Sequence, residues 1–117
     1  MNTTTTLHGV PWKIEDINRT IEDQELRKQE WKRERWVPRD SLDDIHGGTS
    51  RLYLGHEYDK SKMRVIKSGW YHDHCEICWW TLFESEDPER SIGYTDGINW
   101  VCTECYEKFL KESNAAA

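Results

Sequence analysis

The sequence predicts an α+β protein: an amino-terminal amphipathic helix, small antiparallel strands, and a carboxy-terminal unit organised by cysteine pairs. Three observations carry this reading. Apolar residues recur at helical spacing between Lys13 and Trp36, short β-favouring runs follow from Arg51 onward, and all four cysteines fall into two C-x-x-C pairs. With 117 residues the chain has the length of one compact domain, since a domain typically takes roughly 100–150 residues. Charged residues make up 32% against 36% apolar, so the core must be small. Seven Trp, five Tyr and two Phe offset the scarcity of aliphatics, because each buried aromatic removes about 150–250 Å² from water.

Residues 1–12 read as a flexible lead, with a polar run at Thr3 to Thr6. Met1 to Leu7 has neither the basic start nor the apolar stretch of a secretory signal, and a cytoplasmic location is expected. Mean hydropathy is −0.93 and no apolar run approaches the roughly 20 residues that a bilayer demands, so no membrane span is expected. Residues 13–69 read as a helical segment followed by a small antiparallel unit. From Lys13 to Trp36 there is no Gly or Pro, and Ile14, Ile17, Ile21, Trp31 and Trp36 fall on a stripe about 140° wide at helical spacing. Glu15/Arg19 and Asp23/Arg27 stand as i,i+4 pairs on the outer face. Leu26 lies off the stripe and marks Thr20 to Glu25 as a candidate break, and Pro38 ends the segment. Ser41 to Gly48 has an N-cap residue at its start and Gly at its end, the pattern of one or two helical turns. Arg51 to Leu54 and Met63 to Lys67 read as strands around a polar stretch. Residues 113–117 read as a frayed tail.

Residues 70–112 hold the chemistry. Cys75, Cys78, Cys102 and Cys105 form C-x2-C-x23-C-x2-C. Two such pairs at this separation deliver four thiolates to one tetrahedral metal. Two disulfides would instead need an oxidising compartment that the sequence does not indicate. Between the pairs, Ile92 to Tyr94 and Ile98 to Val101 flank Thr95-Asp96-Gly97, a tight-turn signal. Tyr106, Phe109 and Leu110 then recur as on one face of a helix whose amino end holds the second pair and favours thiolate charge. Knuckle, hairpin and a helix opened by the last ligands is the order of treble-clef zinc fingers. Residues 70–112 resemble that class in H-C-E-I-C-W-W and W-V-C-T-E-C-Y-E-K-F-L. The resemblance covers about a third of the chain, and implies one structural Zn²⁺ on the four cysteines and the local fold, not a function.

Other chemistries fit less well. Rubredoxin-like iron knuckles place Gly after the second cysteine, where this chain has Trp79 and Tyr106. His74-Cys75-Glu76 and Cys102-Thr103-Glu104-Cys105 imitate the zinc deaminase signature. That match places Val101 where Pro is expected, leaves Cys78 without a role, and has twelve residues after Cys105 for a fold that needs more. Residues 79–101 lack the histidines of a His-Asn-His nuclease. His72 and His74 read as neighbours of the first knuckle, and His8, His46 and His56 as isolated surface or core residues. Four thiolates leave no open coordination position, so no catalytic residue is expected.

Charge narrows the choice of partner. Residues 71–117 carry 3 basic and 10 acidic side chains, whereas residues 47–70 carry 5 and 2. The expected function is therefore a non-catalytic, zinc-stabilised protein-binding module. It would offer Trp79 and Trp80 as anchors and Glu84, Glu86, Asp87 and Glu89 as acidic steering toward a basic protein, as an inhibitor or immunity-type protein does. A nucleic-acid-binding or regulatory zinc finger using Arg51, Lys60, Lys62, Arg64 and Lys67 is the second expectation, and a deaminase-like enzyme the third.

Overall fold

The computed structural model describes residues 3–115, with the side chain of Ala115 outside the description. Two compact units emerge where one domain was expected. The first joins the chain up to Trp36 with the chain from Asp73 onward, and the second is Val37–His72. The amino-terminal segment thus belongs with the cysteine-bearing region.

In the first unit, strands β1 (Thr4–Leu7) and β2 (Val10–Lys13) form an antiparallel hairpin where a flexible lead was expected. His8 and Gly9 make its two-residue turn, both at positive φ (50° and 79°), the backbone that matches the twist of paired strands. Leu7 is fully buried, which gives the hairpin a reason to fold down. Helix α1 (Ile14–Asp23) buries Ile17 and Ile21, but does not continue to Trp36. Glu25 takes a left-handed φ of 52° and a single 3₁₀ turn, Leu26–Lys28, follows. Burying Leu26, which lies off the helical stripe, requires this turn of the chain. Trp31 reaches the same core from a loop, its indole N–H donating to the Leu26 carbonyl at 2.8 Å. Trp36 follows strand β3 (Lys32–Arg35) and is completely buried, its indole N–H donating to Asp73 Oδ2 at 2.9 Å.

The second unit is a three-stranded antiparallel sheet, β4 (Arg39–Asp44) between β5 (Ser50–Leu52) and β6 (Met63–Trp70). The strands expected near 51–54 and 63–67 are present. The helical turns expected over Ser41 to Gly48 are not, because the polar residues that resemble a cap serve the sheet and its turn instead. Asp43 Oδ1 accepts from the Ser41 and Ser50 hydroxyls, and Asp44 Oδ1 accepts from the His46 N–H.

Returning to the first unit, β7 (Asp73–His74) pairs with β8 (Thr81–Leu82) around the first cysteine pair. A short helix α2 (Pro88–Ser91), capped by the Asp87 side chain, leads into β9 (Ile92–Thr95) and β10 (Trp100–Cys102). These last two strands form the expected hairpin and extend to β3 in the order β10-β9-β3. At the turn, Gly97 sits at φ 107° and Asp96 Oδ1 accepts from the Ile98 and Asn99 N–H groups. The expected terminal helix is present as α3 (Thr103–Cys105), a π-helical stretch Tyr106–Leu110, and α4 (Lys111–Ala115). Asn114, expected in a frayed tail, is tied down. Its amide accepts from the Trp31 N–H and donates to the Trp31 carbonyl and the Tyr106 hydroxyl. Residues 116 and 117 of that tail lie outside the described residues. Among the described residues no helix is long and apolar enough to cross a membrane.

The core of the first unit is shared by Leu7, Ile17, Ile21, Leu26, Val101 and Leu110 with all four cysteines. Leu7→Ala should therefore cost about 2–5 kcal/mol, read as a lowered urea midpoint. An unchanged midpoint would mean that the hairpin adds nothing to the core.

Candidate metal centre

Each cysteine pair is set by its own backbone. In the first knuckle the Cys75 N–H donates to the Trp80 carbonyl (2.7 Å) and the Trp79 N–H to the Cys75 carbonyl (2.9 Å). The Ile77 N–H points at Cys75 Sγ (3.4 Å). Trp79 closes this turn at φ 67°, the left-handed conformation that Gly adopts most readily. In the second knuckle Cys102 is the N-cap of α3 and its sulfur accepts from the Cys105 N–H at 3.4 Å. The Glu76 N–H donates to the Trp100 carbonyl (3.0 Å) and fastens the first knuckle to β10 beside the second.

The result is four buried sulfurs within 4.8 Å of one another, an arrangement that can hold a metal ion. Cys78 Sγ and Cys102 Sγ are 3.7 Å apart. Four sulfurs at about 2.3 Å from a central ion form a tetrahedron with edges of about 3.8 Å, the length of the Cys78–Cys102 edge. Disulfide sulfurs would stand at about 2.0 Å, and all four cysteines are free.

Electrostatics explains what such a cluster needs. Burial opposes a charge on Cys75, but hydrogen bonds with the Cys102, Cys105 and Cys78 thiols outweigh it and hold its pKa well below the ordinary thiol value. At Cys102 a bond with Cys105 favours the thiolate, while bonds with Cys75 and Cys78, together with burial, push the pKa far up. At Cys105 bonds with Cys102, Cys75 and Cys78 likewise push it far up. One buried negative charge can be shared by neighbouring thiols. Further ionisation needs a cation at the centre.

The remaining residues singled out from sequence fall in different places. His74 stacks on Trp79 at 4.3 Å with the rings nearly parallel (3°), and His72 belongs to the second unit, its ring beside Tyr71. Neither is in the sulfur cluster. Trp79 is 68% exposed. Trp80, expected as an exposed anchor, is a half-buried strut instead. His8 stacks on it at 3.6 Å, the Arg90 guanidinium lies 3.5 Å from the centre of its ring, and its indole N–H donates to the Glu89 carbonyl. Glu84, Glu86 and Glu89 are exposed, as is Asp87, but Asp87 Oδ1 accepts from the Glu89 N–H and caps α2. In the second unit Arg51, Lys60, Lys62, Arg64 and Lys67 are exposed, with Arg64 opposite Asp43 across β4 and β6.

Sequence reasoning missed His8. It is 94 residues from Cys102, yet its Nε2 lies 3.3 Å from Cys102 Sγ. Only the positive-φ turn signal His8-Gly9 hints that this segment is structured.

Comparison with protein-family models, curated proteins and solved structures finds no match to this chain.

Because the Cys102 and Cys105 thiols are held protonated without a cation, each must release a proton when one binds. Apparent affinity for a divalent cation should accordingly rise steeply with pH and fall on acidification. Chelator competition at several pH values tests this, and a pH-independent affinity would contradict it.

Proposed function

We propose that the chain is a non-catalytic binding module stabilised by one structural Zn²⁺ on Cys75, Cys78, Cys102 and Cys105, and that it docks a basic protein. The chain order of knuckle, β9/β10 hairpin and helix opened by Cys102 and Cys105 supports a treble-clef arrangement. Four thiolates with N–H···S donors are the usual ligand set of structural zinc. Cys78 lies within the cluster, so a deaminase-like set of three ligands and an open position is disfavoured. Four thiolates around a divalent cation also add two negative charges to a chain already at −6, in which residues 71–117, with 3 basic and 10 acidic side chains, supply the acidic excess.

The observation that carries the binding reading is Trp79. A bulky side chain at positive φ costs on the order of 1 kcal/mol or more, and at 68% exposure burial does not offset that cost. The stack on His74 holds the ring in place at the surface. A pre-positioned exposed indole in the same unit as the exposed carboxylates of Glu84, Glu86 and Glu89 combines a hot-spot anchor with acidic steering. The most specific form of this reading is an inhibitor or immunity-type protein that masks a basic toxin or nuclease.

Binding kinetics against a protein captured on the zinc-loaded chain test the proposal. Replacing Glu84, Glu86 and Glu89 by Gln should slow association, as should raising salt so that the Debye length falls from about 30 to 8 Å. Asp87 is left intact because it caps α2. Trp79→Ala should instead speed dissociation, by about 30-fold for a hot spot worth about 2 kcal/mol. An acidic partner, or an on-rate indifferent to salt and to the three carboxylates, would overturn the reading. Steeply salt-dependent nucleic-acid binding abolished by neutralising Lys60, Lys62 and Lys67 would replace it with the nucleic-acid alternative.

A further inference from the structure

The His8 ring is held by more contacts than a hairpin turn requires. Its backbone N–H donates to Glu104 Oε2 at 2.7 Å, and its ring lies flat on Trp80 with an interplanar angle of 5°. Nδ1 is 3.5 Å from Glu104 Oε2 and Nε2 is 3.3 Å from Cys102 Sγ. Its side chain is only 13% exposed. Glu104 is in turn fixed by Lys108 Nζ at 3.0 Å, and that ammonium also donates to the Thr6 carbonyl at 2.6 Å. The hairpin is thus clamped to the helix at Thr6 and His8, and the second clamp places an imidazole nitrogen against a cysteine sulfur.

We propose that His8 belongs to the metal centre as a positioning residue: its Nε2–H donates to the Cys102 thiolate, and the β1/β2 hairpin thereby sets how tightly the metal is retained. A metal-bound thiolate presents only lone pairs to this side, so Nε2 is the donor and the sulfur the acceptor; the 3.5 Å approach of Nδ1 to Glu104 is too long for a hydrogen bond and does not claim the ring proton. Such a bond draws electron density from sulfur and makes Cys102 less basic and less nucleophilic, which slows its loss from the metal to protons, chelators or electrophiles. Hydrogen bonds around a metal site commonly change affinity 10–100-fold when removed. The backbone conformation agrees with this role, since His tolerates the φ of 50° at this turn better than most residues.

The inference rests on the zinc reading above, and the experiment separates the two. Two variants remove the donor in different ways. His8→Phe keeps a flat ring for Trp80 but has no N–H, whereas His8→Asn suits the left-handed backbone but carries nitrogen only at the δ position. Wild-type and variant chains are loaded with Zn²⁺ for transfer to a chromophoric chelator, and with Co²⁺ for the thiolate-to-metal charge-transfer band. Both variants should release zinc at least about tenfold faster than wild type, and their cobalt band should move to longer wavelength as the sulfur lone pairs rise in energy. If wild type loads normally while both variants match it in release rate and band position, the role of His8 is overturned and the zinc reading stands. Faster release with an unmoved band also overturns it, since the hairpin would then act through packing alone. If wild type takes up neither metal, both readings fall.

Discussion

Four sulfurs buried within 4.8 Å of one another are the constraint around which the first unit is organised. A thiol cluster of this density has two stable conditions. Either most of its members stay protonated, as the upward shifts at Cys102 and Cys105 imply, or a cation at the centre lets all of them ionise. In the first condition the sulfurs are modest apolar filler. In the second they become a covalent-strength crosslink between the β7/β8 knuckle and the start of the terminal helix. With so few aliphatic residues available, the difference matters. The remaining core is a thin layer of Leu, Ile and Val extended by Trp31, Tyr106 and half-buried aromatics such as Trp80 and Phe109.

The other elements of that unit can be understood as closing this centre. Trp36 and Asp73 are the residues at which the chain leaves the unit and returns to it, and the hydrogen bond between them clasps the two segments. Asn114 fastens the end of the terminal helix to Trp31. The hairpin covers the second knuckle through Leu7, His8 and the Lys108 contact to Thr6. Trp80, gripped between His8 and Arg90, joins the hairpin to the α2 region. Trp79 next to it has the opposite role, spending backbone strain to remain outside.

How much of this was legible in the sequence follows from how local each signal is. The cysteine pairs, the Asp96-Gly97 turn and the amphipathic start of the terminal helix are encoded within a few residues, and the structure contains each of them. The helix expected over Lys13 to Trp36 spans only Ile14–Asp23, because Trp31 and Trp36 share the phase of Ile17 and Ile21 by coincidence and reach the core by loop and strand. Ser41 to Gly48 misled because Ser and Asp satisfy turns and strand ends with the same hydrogen bonds they use in caps. The approach of His8 to Cys102 spans 94 residues and has no local signature. The same is true of the division into two units, which depends on Asp73 returning to Trp36.

On this reading a cation on the four cysteines holds the entire discontinuous unit together, not only its knuckles. Hydrogen–deuterium exchange of the zinc-loaded chain before and after chelation reads this out segment by segment. Protection should collapse together in the helix bearing Ile17 and Ile21, in the strand bearing Val101, and in the terminal helix around Leu110. Chelation that leaves the first of these helices protected, or that loosens only Cys75 to Trp80, would contradict it.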